Sequence, residues 1–74
     1  MNRIVVNPKI LGGKPIIKGT RISISIILEW LAAGMTAKDI VREYPHLTLK
    51  DISSATHYAA KLLENEQVLL KKAS

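Results

Sequence analysis

Two stretches of the sequence carry the same helix-starting pattern, and a proline lies between them. Thr36 and Thr48 are each followed three residues later by an aspartate, in the sequences TAKD and TLKD. A threonine N-cap with an acid at the third helical position resembles a capping box, and the acid suits the positive end of the helix dipole. Pro45 cannot continue the first of these helices. The pattern therefore predicts a helix over residues 37–44, a short turn, and a second helix from Leu49.

The second of these helices meets no breaker before the C-terminus and separates apolar from polar residues. Its apolar set, spaced by three and four residues, consists of Leu49, Ile52, Ala55, Ala59, Leu62, Leu63, Leu69 and Leu70. Its opposite face carries Lys50, Ser53, Ser54, His57, Lys61 and Asn65. This spacing predicts an amphipathic helix that packs one side against a core.

The N-terminal third of the chain is typical of short extended segments. Residues 3–6, RIVV, are rich in β-branched side chains and are followed by Asn7 and Pro8. This composition predicts a strand and then a turn. A second extended segment is predicted to run through Ile22 with a bend at Gly19.

A further helix is expected between the extended segments and the helix pair. Either Ser23 or Ser25 can serve as its N-cap, because both precede a dense apolar run. Gly34 is expected to end it in the left-handed conformation. Trp30 and Tyr44 are interpreted as core aromatic residues.

Size and charge limit the class of protein. The chain has 74 residues and no cysteine, which predicts one small domain without disulfides, and we then expect a second copy of the chain to stabilise it. The whole net charge of +5 arises in residues 1–21, which contain five bases and no acid. This asymmetry predicts a polyanionic partner, nucleic acid first and an acidic protein or membrane surface second, although solubility alone would also account for it. No apolar stretch is long enough to span a bilayer and no signal peptide is evident, so we expect a cytoplasmic protein.

The helix pair has the layout of a helix-turn-helix, in which the first helix crosses the DNA backbone and the second lies in the major groove. The predicted DNA-binding residues are Lys14, Lys18 and Arg21 in a basic β-arm, Thr36 and Lys38 in the first helix of the pair, and Thr48, Lys50, Ser53, Ser54 and His57 in the second. Two alternatives stay open. The helix pair can serve only to close the core, and the arm can exchange strands with a second subunit instead of lying on DNA.

The leucines near the C-terminus are too far along the chain to cover much of so small a core. They can fold back, but we favour contact with another protein. The predicted partner-binding residues are Leu62, Leu63, Leu69 and Leu70.

The glycine-rich stretch does not fit a nucleotide-binding loop. A P-loop ends in Gly-Lys-Ser/Thr before a helix, whereas Lys14 is followed by Pro15 and the KGT at residues 18–20 is followed by Arg21. His46 and His57 are eleven residues apart and lack a third ligand at helical spacing, so they do not predict a metal site. We therefore expect no enzyme activity and no cofactor.

A family resemblance covers about residues 10–60. The stretch that carries it is GGKPIIKGTRISISIILEWLAAGMTAKDIVREYPHLTLKDISSATHYAA. It resembles the bacterial and archaeal family called domain of unknown function four-three-three, whose hallmark is similar to G-x-P-x-[IV]-x-G-T-R-[IV]. The matching residues are Gly13, Pro15, Ile17, Gly19, Thr20, Arg21 and Ile22. This chain departs from the pattern at Ser23, where the family often has proline.

The resemblance implies a mainly α fold: a homeodomain-like helix-turn-helix of three helices with a short N-terminal β-arm or hairpin, usually dimeric. We expect a single domain over 1–74, with the basic arm in 1–22, the three-helix core in 23–60 and a helical extension in 61–74.

The resemblance also carries a functional expectation. Family members are similar in context to VapB-type antitoxins paired with a PIN-like nuclease toxin. It therefore implies an antitoxin-like DNA-binding protein of a type II toxin-antitoxin system, which binds operator DNA and neutralises its toxin. The alternatives are a protein-interaction module without DNA binding and a stand-alone small transcriptional regulator.

Overall fold

The computed structural model describes residues 3–73, with side-chain surroundings for residues 3–64. In chain order the elements are β1 (Ile4–Val6), a 3-10 turn (Leu11–Gly13), β2 (Pro15–Ile17), α1 (Ile24–Ala32), α2 (Ala37–Glu43) and α3 (Leu49–Ala73). The strands form one antiparallel hairpin. The predicted mainly helical fold with an N-terminal hairpin is confirmed.

The hairpin is shorter on its second strand than the sequence predicts. Its register pairs Ile4 with Ile17, Val5 with Ile16 and Val6 with Pro15. The prediction of extended structure through Ile22 is wrong, because β2 ends where the Thr20 amide donates to the Ile17 carbonyl at 3.0 Å and closes a turn. Gly19 occupies this turn with φ +81°, a conformation that glycine adopts without strain.

Local hydrogen bonds decide where α1 begins and ends. The Ser23 hydroxyl accepts from the Ile26 amide at 3.1 Å, so Ser23 is the N-cap and Ser25 lies exposed one step inside the helix. Gly34 follows the helix with φ +103°, which confirms the predicted left-handed end. Ser23 thus starts the helix through a capping hydrogen bond. A proline at this position would favour the same helix start through its fixed φ.

The duplicated TxKD sequence forms two capping boxes. Thr36 and Asp39 bond reciprocally at the start of α2, and Thr48 and Asp51 do so at the start of α3. Helix α3 begins at Leu49 as predicted, whereas α2 ends at Glu43, one residue earlier than predicted. Five residues, 44–48, therefore connect the two helices.

One cluster of aliphatic side chains holds the hairpin and the three helices together. Its buried members are Ile17, Ile24, Ile27, Ile40, Leu47, Ile52 and Ala55. Each strand or helix that borders the core except β1 supplies at least one member, and Ile4 of β1 packs against the cluster. The hydrophobic effect of this burial is the main favourable term in folding so small a domain.

Two residues expected in the core lie at the surface. Leu49 is 52% exposed, because Leu47 from the preceding turn fills the core at this end of α3. Tyr44 is 38% exposed and stacks on Trp30, with ring centroids 4.4 Å apart. The tyrosine therefore closes the gap between α1 and the end of α2 from outside instead of filling the interior.

Candidate nucleic-acid interface

One face of α3 is polar and exposed over its first three turns. Lys50, Ser53 and His57 are exposed, and Ser54 lies half-buried at the edge of the same face. The hydroxyls of the two serines make no hydrogen bond within the described residues. Helical periodicity places these residues opposite the buried Ile52, so this face is available to a ligand outside the domain.

The start of α3 is fastened to the start of the hairpin. The Thr48 amide donates to Asp51 Oδ2 at 2.9 Å, and the Asp51 amide donates back to Thr48 Oγ1 at 3.1 Å. Arg3 Nη1 donates to the other carboxylate oxygen, Asp51 Oδ1, at 2.9 Å. The Asp51 side chain is 6% exposed and that of Arg3 is 44% exposed. A partly buried ion pair thus fixes the hairpin against this end of the helix.

The pKa of Asp51 lies below its ordinary value despite burial. Burial by itself raises this pKa, because it disfavours the carboxylate. The hydrogen bond from the Thr48 amide, then the Arg3 guanidinium and the Thr48 hydroxyl, outweigh it and lower the pKa. The carboxylate is therefore charged at neutral pH and cancels the charge of Arg3.

The turn between β2 and α1 lies beside this helix start. A cavity of about 270 Å³ is lined by Arg3, Lys18, His46, Thr48 and Asp51. A neighbouring cavity of about 360 Å³ is lined by Gly19, Thr20, Arg21, Ile22 and His46. The imidazole of His46 is common to both. Lys18 and the beginning of α3 therefore line one cavity, and Arg21 lines the cavity next to it.

Thr20 fixes the backbone of the turn that carries Lys18 and Arg21, which we call the cationic turn. Its hydroxyl donates to the Ile17 carbonyl at 2.8 Å and accepts from the Ile22 amide at 3.0 Å. Lys18 and Arg21 flank it, and both are exposed. Neither forms an ion pair with the described residues. The backbone of the turn is thus held by internal bonds, while its two cations are available to an anionic ligand.

Lys14 is separated from the other two predicted arm cations. It precedes Pro15, which lines a different, apolar groove, whereas Lys18 lines the cavity beside Thr48. Four residues of extended chain span about 13 Å, so β2 holds the two lysines apart. The structure thus brings Lys18 and Arg21 to the start of α3 and leaves Lys14 at the opposite end of the strand.

The predicted contacts on α2 lie outside both cavities. Thr36 and Lys38 are exposed, and the Thr36 hydroxyl accepts from the Asp39 amide at 3.1 Å within the capping box. The hydrogen bond from the Thr36 amide, followed by that from its hydroxyl, lowers the pKa of Asp39. Arg42 also pairs with Asp39 on the same helix.

An apolar groove of about 200 Å³ lies at the other end of β2. Its lining is almost entirely apolar and consists of Pro15, Ile24, Ser25, Leu28, Tyr58, Ala59 and Leu62. Leu62 is 57% exposed, and Leu63, which does not line the groove, is 53% exposed. The other two predicted partner-binding residues, Leu69 and Leu70, lie outside the residues whose side chains the structure describes.

Comparison with known proteins identifies the family. A family model described as "Protein of unknown function (DUF433)" matches residues 4–59. The chain belongs to the DUF433 family. A crystal structure of a DUF433 member from Anabaena variabilis covers the whole chain and matches 71% of its own length, with a TM-score of 0.79 and 31% identity. An uncharacterized protein of Sinorhizobium fredii, y4eO, is 32% identical over 56 residues, 76% of this chain. The chain spans a quarter of that relative's length.

The DUF433 motif residues divide into structural and exposed positions. Ile17 is in the core, and Thr20 closes the turn after β2. Pro15 lies opposite Val6 in the hairpin, where the strand pairing requires no hydrogen bond from it. Arg21 is exposed and makes no hydrogen bond or ion pair within the described residues. It is the motif side chain for which the fold provides no structural role.

Two residues of this region are not predicted by the sequence. Arg3 and His46 line the cavity with Lys18, yet the sequence predicts neither as a site residue. Arg3 reaches Asp51 across 48 positions of the chain, a distance that no local spacing reveals. His46 lies in the turn before α3, and only the docking of the hairpin brings it beside the two cations.

Other kinds of site receive no support from the described part of the chain. No group of three or more histidine, aspartate or glutamate side chains there is arranged to hold a metal ion. Every helix in residues 3–73 is either too short or too polar to cross a lipid bilayer.

Proposed function

We propose that this chain binds double-stranded DNA as a homeodomain-like helix-turn-helix protein. The observation that carries the proposal is the position of Lys18 beside Thr48 and Asp51 at the start of α3, the end of the helix from which its exposed polar face extends. Arg21 lines the neighbouring cavity, which shares His46 with the first. In such proteins, the second helix of the pair lies in the major groove and neighbouring segments contact phosphates.

Each group of residues has a distinct task in this arrangement. Lys50 and the hydroxyls of Ser53 and Ser54 face the bases or nearby phosphates, because lysine donates to guanine and hydroxyls serve either target. Lys18 and Arg21 contact phosphates beside the groove and set the register of the helix. His57 extends the same face. Thr36, Lys38 and the exposed Thr48 contact the backbone at the two helix starts.

The salt dependence of DNA binding tests the cationic turn. Each phosphate neutralised contributes about 0.9 to the slope of log affinity against log salt concentration. Replacing both Lys18 and Arg21 by alanine is therefore expected to flatten this slope by about 1.8. The measurement is fluorescence anisotropy, over a range of salt concentrations, with a duplex taken from upstream of the chain's own reading frame.

Lys14→Ala is the matched control, because it removes one charge of the same arm at the far end of β2. It is expected to leave the salt slope unchanged. If the slope falls equally in the control and in the double variant, the cations of the arm would act only through the overall electrostatic field of the protein and not through contacts with particular phosphates. No binding by the wild type at low salt would contradict the proposal itself.

We further propose that the DNA-binding chain is an antitoxin that neutralises a PIN-like nuclease. The family resemblance suggests this role, and the apolar groove beside Leu62 supports it. The groove lies at the opposite end of β2 from the cationic turn, so a protein seated there leaves the polar face of α3 open to DNA.

Substitutions at two leucines distinguish an antitoxin from a stand-alone regulator. Leu62→Glu places a charge at the wall of the apolar groove and is expected to abolish co-purification with the product of the neighbouring reading frame. Leu63→Glu makes the same change at an equally exposed leucine outside the groove and is expected to retain the complex. DNA binding with no such complex in the wild type would favour the regulator, and a complex without DNA binding would favour a protein-interaction module.

A further inference from the structure

The outer edge of β1 carries unpaired backbone groups. Within residues 3–73 the strand pairs with β2 on one side only, and the sheet they form has two strands. Its three residues, Ile4, Val5 and Val6, are β-branched and uncharged, and Val6 is 59% exposed. Natural proteins commonly protect such edges with charges, bulges or covering segments. The described residues provide none of these over β1 itself.

Two hydrogen bonds show which groups face outward. The Lys18 amide donates to the Arg3 carbonyl at 2.7 Å, so these two residues form a bonded pair. The Ile17 amide donates away from β1, to the Ile22 carbonyl at 2.9 Å. Because bonded and non-bonded pairs alternate along an antiparallel ladder, Val5 bonds inward to β2.

Ile4 and Val6 are consequently the outward-facing residues of β1. Their amides and carbonyls point away from β2, and they make no hydrogen bond elsewhere in the described residues. The proline opposite Val6 agrees with this assignment, since Pro15 has no amide and fits a non-bonded pair.

We propose that β1 pairs with β1 of a second copy of this chain, antiparallel and centred on Val5. In this register, the outward amide and carbonyl of Ile4 bond to those of Val6 in the second copy. The outward amide and carbonyl of Val6 bond in the same way to those of Ile4 in the second copy. The two bonded pairs then supply four hydrogen bonds, and the two hairpins form one four-stranded sheet. Val5 faces its own copy across the twofold axis as a non-bonded pair.

A second copy fits this edge because the edge is complementary to itself. The outward groups lie symmetrically about Val5, and the strand carries no charge that would repel an identical strand. The nearest cation, Arg3, is neutralised by Asp51 in each copy. Three residues bury far less than the roughly 1,200 Å² of a stable interface, so the dimer is reversible. A four-stranded sheet is also more stable than an isolated hairpin.

The proposed pairing also determines the relative orientation of the two copies of the chain. Residues opposite each other in an antiparallel pair point to the same side of the sheet, so both sets of helices lie on one side. The two α3 helices are then related by a twofold axis, as in proteins that bind two half-sites. The pairing itself does not depend on DNA binding, and its test contains no DNA.

Cysteine crosslinking tests the register in a chain that has no cysteine of its own. In Val5→Cys the two Cα atoms would lie about 4.5 Å apart, within the range of a disulfide. In the control Val6→Cys they would lie about 8 Å apart, which is beyond that range. We expect oxidation to give a covalent dimer with the first variant and not with the second. Equal crosslinking of both, or of neither, would overturn the proposal.

Sedimentation equilibrium tests the edge without a crosslink. The wild type is expected to shift with concentration from 8.2 kDa toward twice that mass. Val6→Pro removes an outward amide without breaking the hairpin and is expected to abolish the shift, whereas Val6→Thr keeps the amide and the dimer. If the wild type stays monomeric, the edge of β1 would instead pair with a strand of another protein. If the Val6→Pro variant still dimerises, the dimer would use another surface. Either result overturns the proposal. If Val6→Pro does not fold, the comparison of Val5→Cys with Val6→Cys remains as the test.

Discussion

Ile27→Ala is expected to lower the free energy of unfolding by about 3–4 kcal/mol, the typical cost of emptying a fully buried aliphatic position. Ile27 is completely buried on α1 and belongs to the cluster that joins the hairpin to the three helices. Small domains are stabilised by only about 5–10 kcal/mol in total. The variant should therefore lose about a third or more of its total stability, which urea denaturation followed by circular dichroism will measure.

The neighbouring residue provides a matched control for this prediction. Ile26 is also on α1 but only half-buried, and it lies outside the buried cluster. Ile26→Ala is therefore expected to cost about 1 kcal/mol, since its side chain is already partly hydrated. Equal losses in the two variants would show that helix α1 packs on a face different from the one described.

Asp51→Ala is expected to destabilise the protein by about 2–3 kcal/mol, because it removes both a capping-box acceptor and a charged hydrogen bond. The carboxylate bonds to the Thr48 amide and to Arg3, and it is almost fully buried. Asp39→Ala removes the equivalent acid from the other capping box, which is exposed. A clearly smaller loss is expected there, and thermal unfolding of both variants compares the same TxKD pattern in two different surroundings.

The same carboxylate makes stability depend on acid pH. Because the folded pKa of Asp51 is lowered, the unfolded chain binds this proton more tightly than the folded chain does. Its stabilisation is therefore complete above the ordinary carboxyl pKa of 3.8 and is lost as pH falls through the folded value. Asp51→Asn should flatten this part of the stability curve. A curve unchanged by the substitution would contradict the lowered pKa of Asp51.

Signals that act within a few residues were sufficient to predict much of the fold. The two TxKD sequences gave the starts of α2 and α3 because a capping box is contained within four residues. Gly34 marked the end of α1 for the same reason. By contrast, the early end of β2 depends on Thr20, whose hydroxyl and amide both donate to the Ile17 carbonyl and close the turn there.

The candidate interface was less predictable, because it is assembled from distant segments. The polar face of α3 follows from helical spacing alone. The division between Lys14 and Lys18 does not, since it depends on which end of β2 lies against the start of α3. Likewise, the exposure of Leu49 follows from the burial of Leu47, which a periodic pattern within one helix does not contain.

The bond between Arg3 and Asp51 has a consequence for the order in which the molecule assembles. It closes a loop of 48 residues, whereas each capping box closes within four residues and the hairpin connection spans only residues 7–14. Contacts between distant segments cost more chain entropy and form later than local ones. We infer that the three helices collapse first and that the amino-terminal strand docks last, so the cationic turn reaches its final orientation only in the closing step of folding.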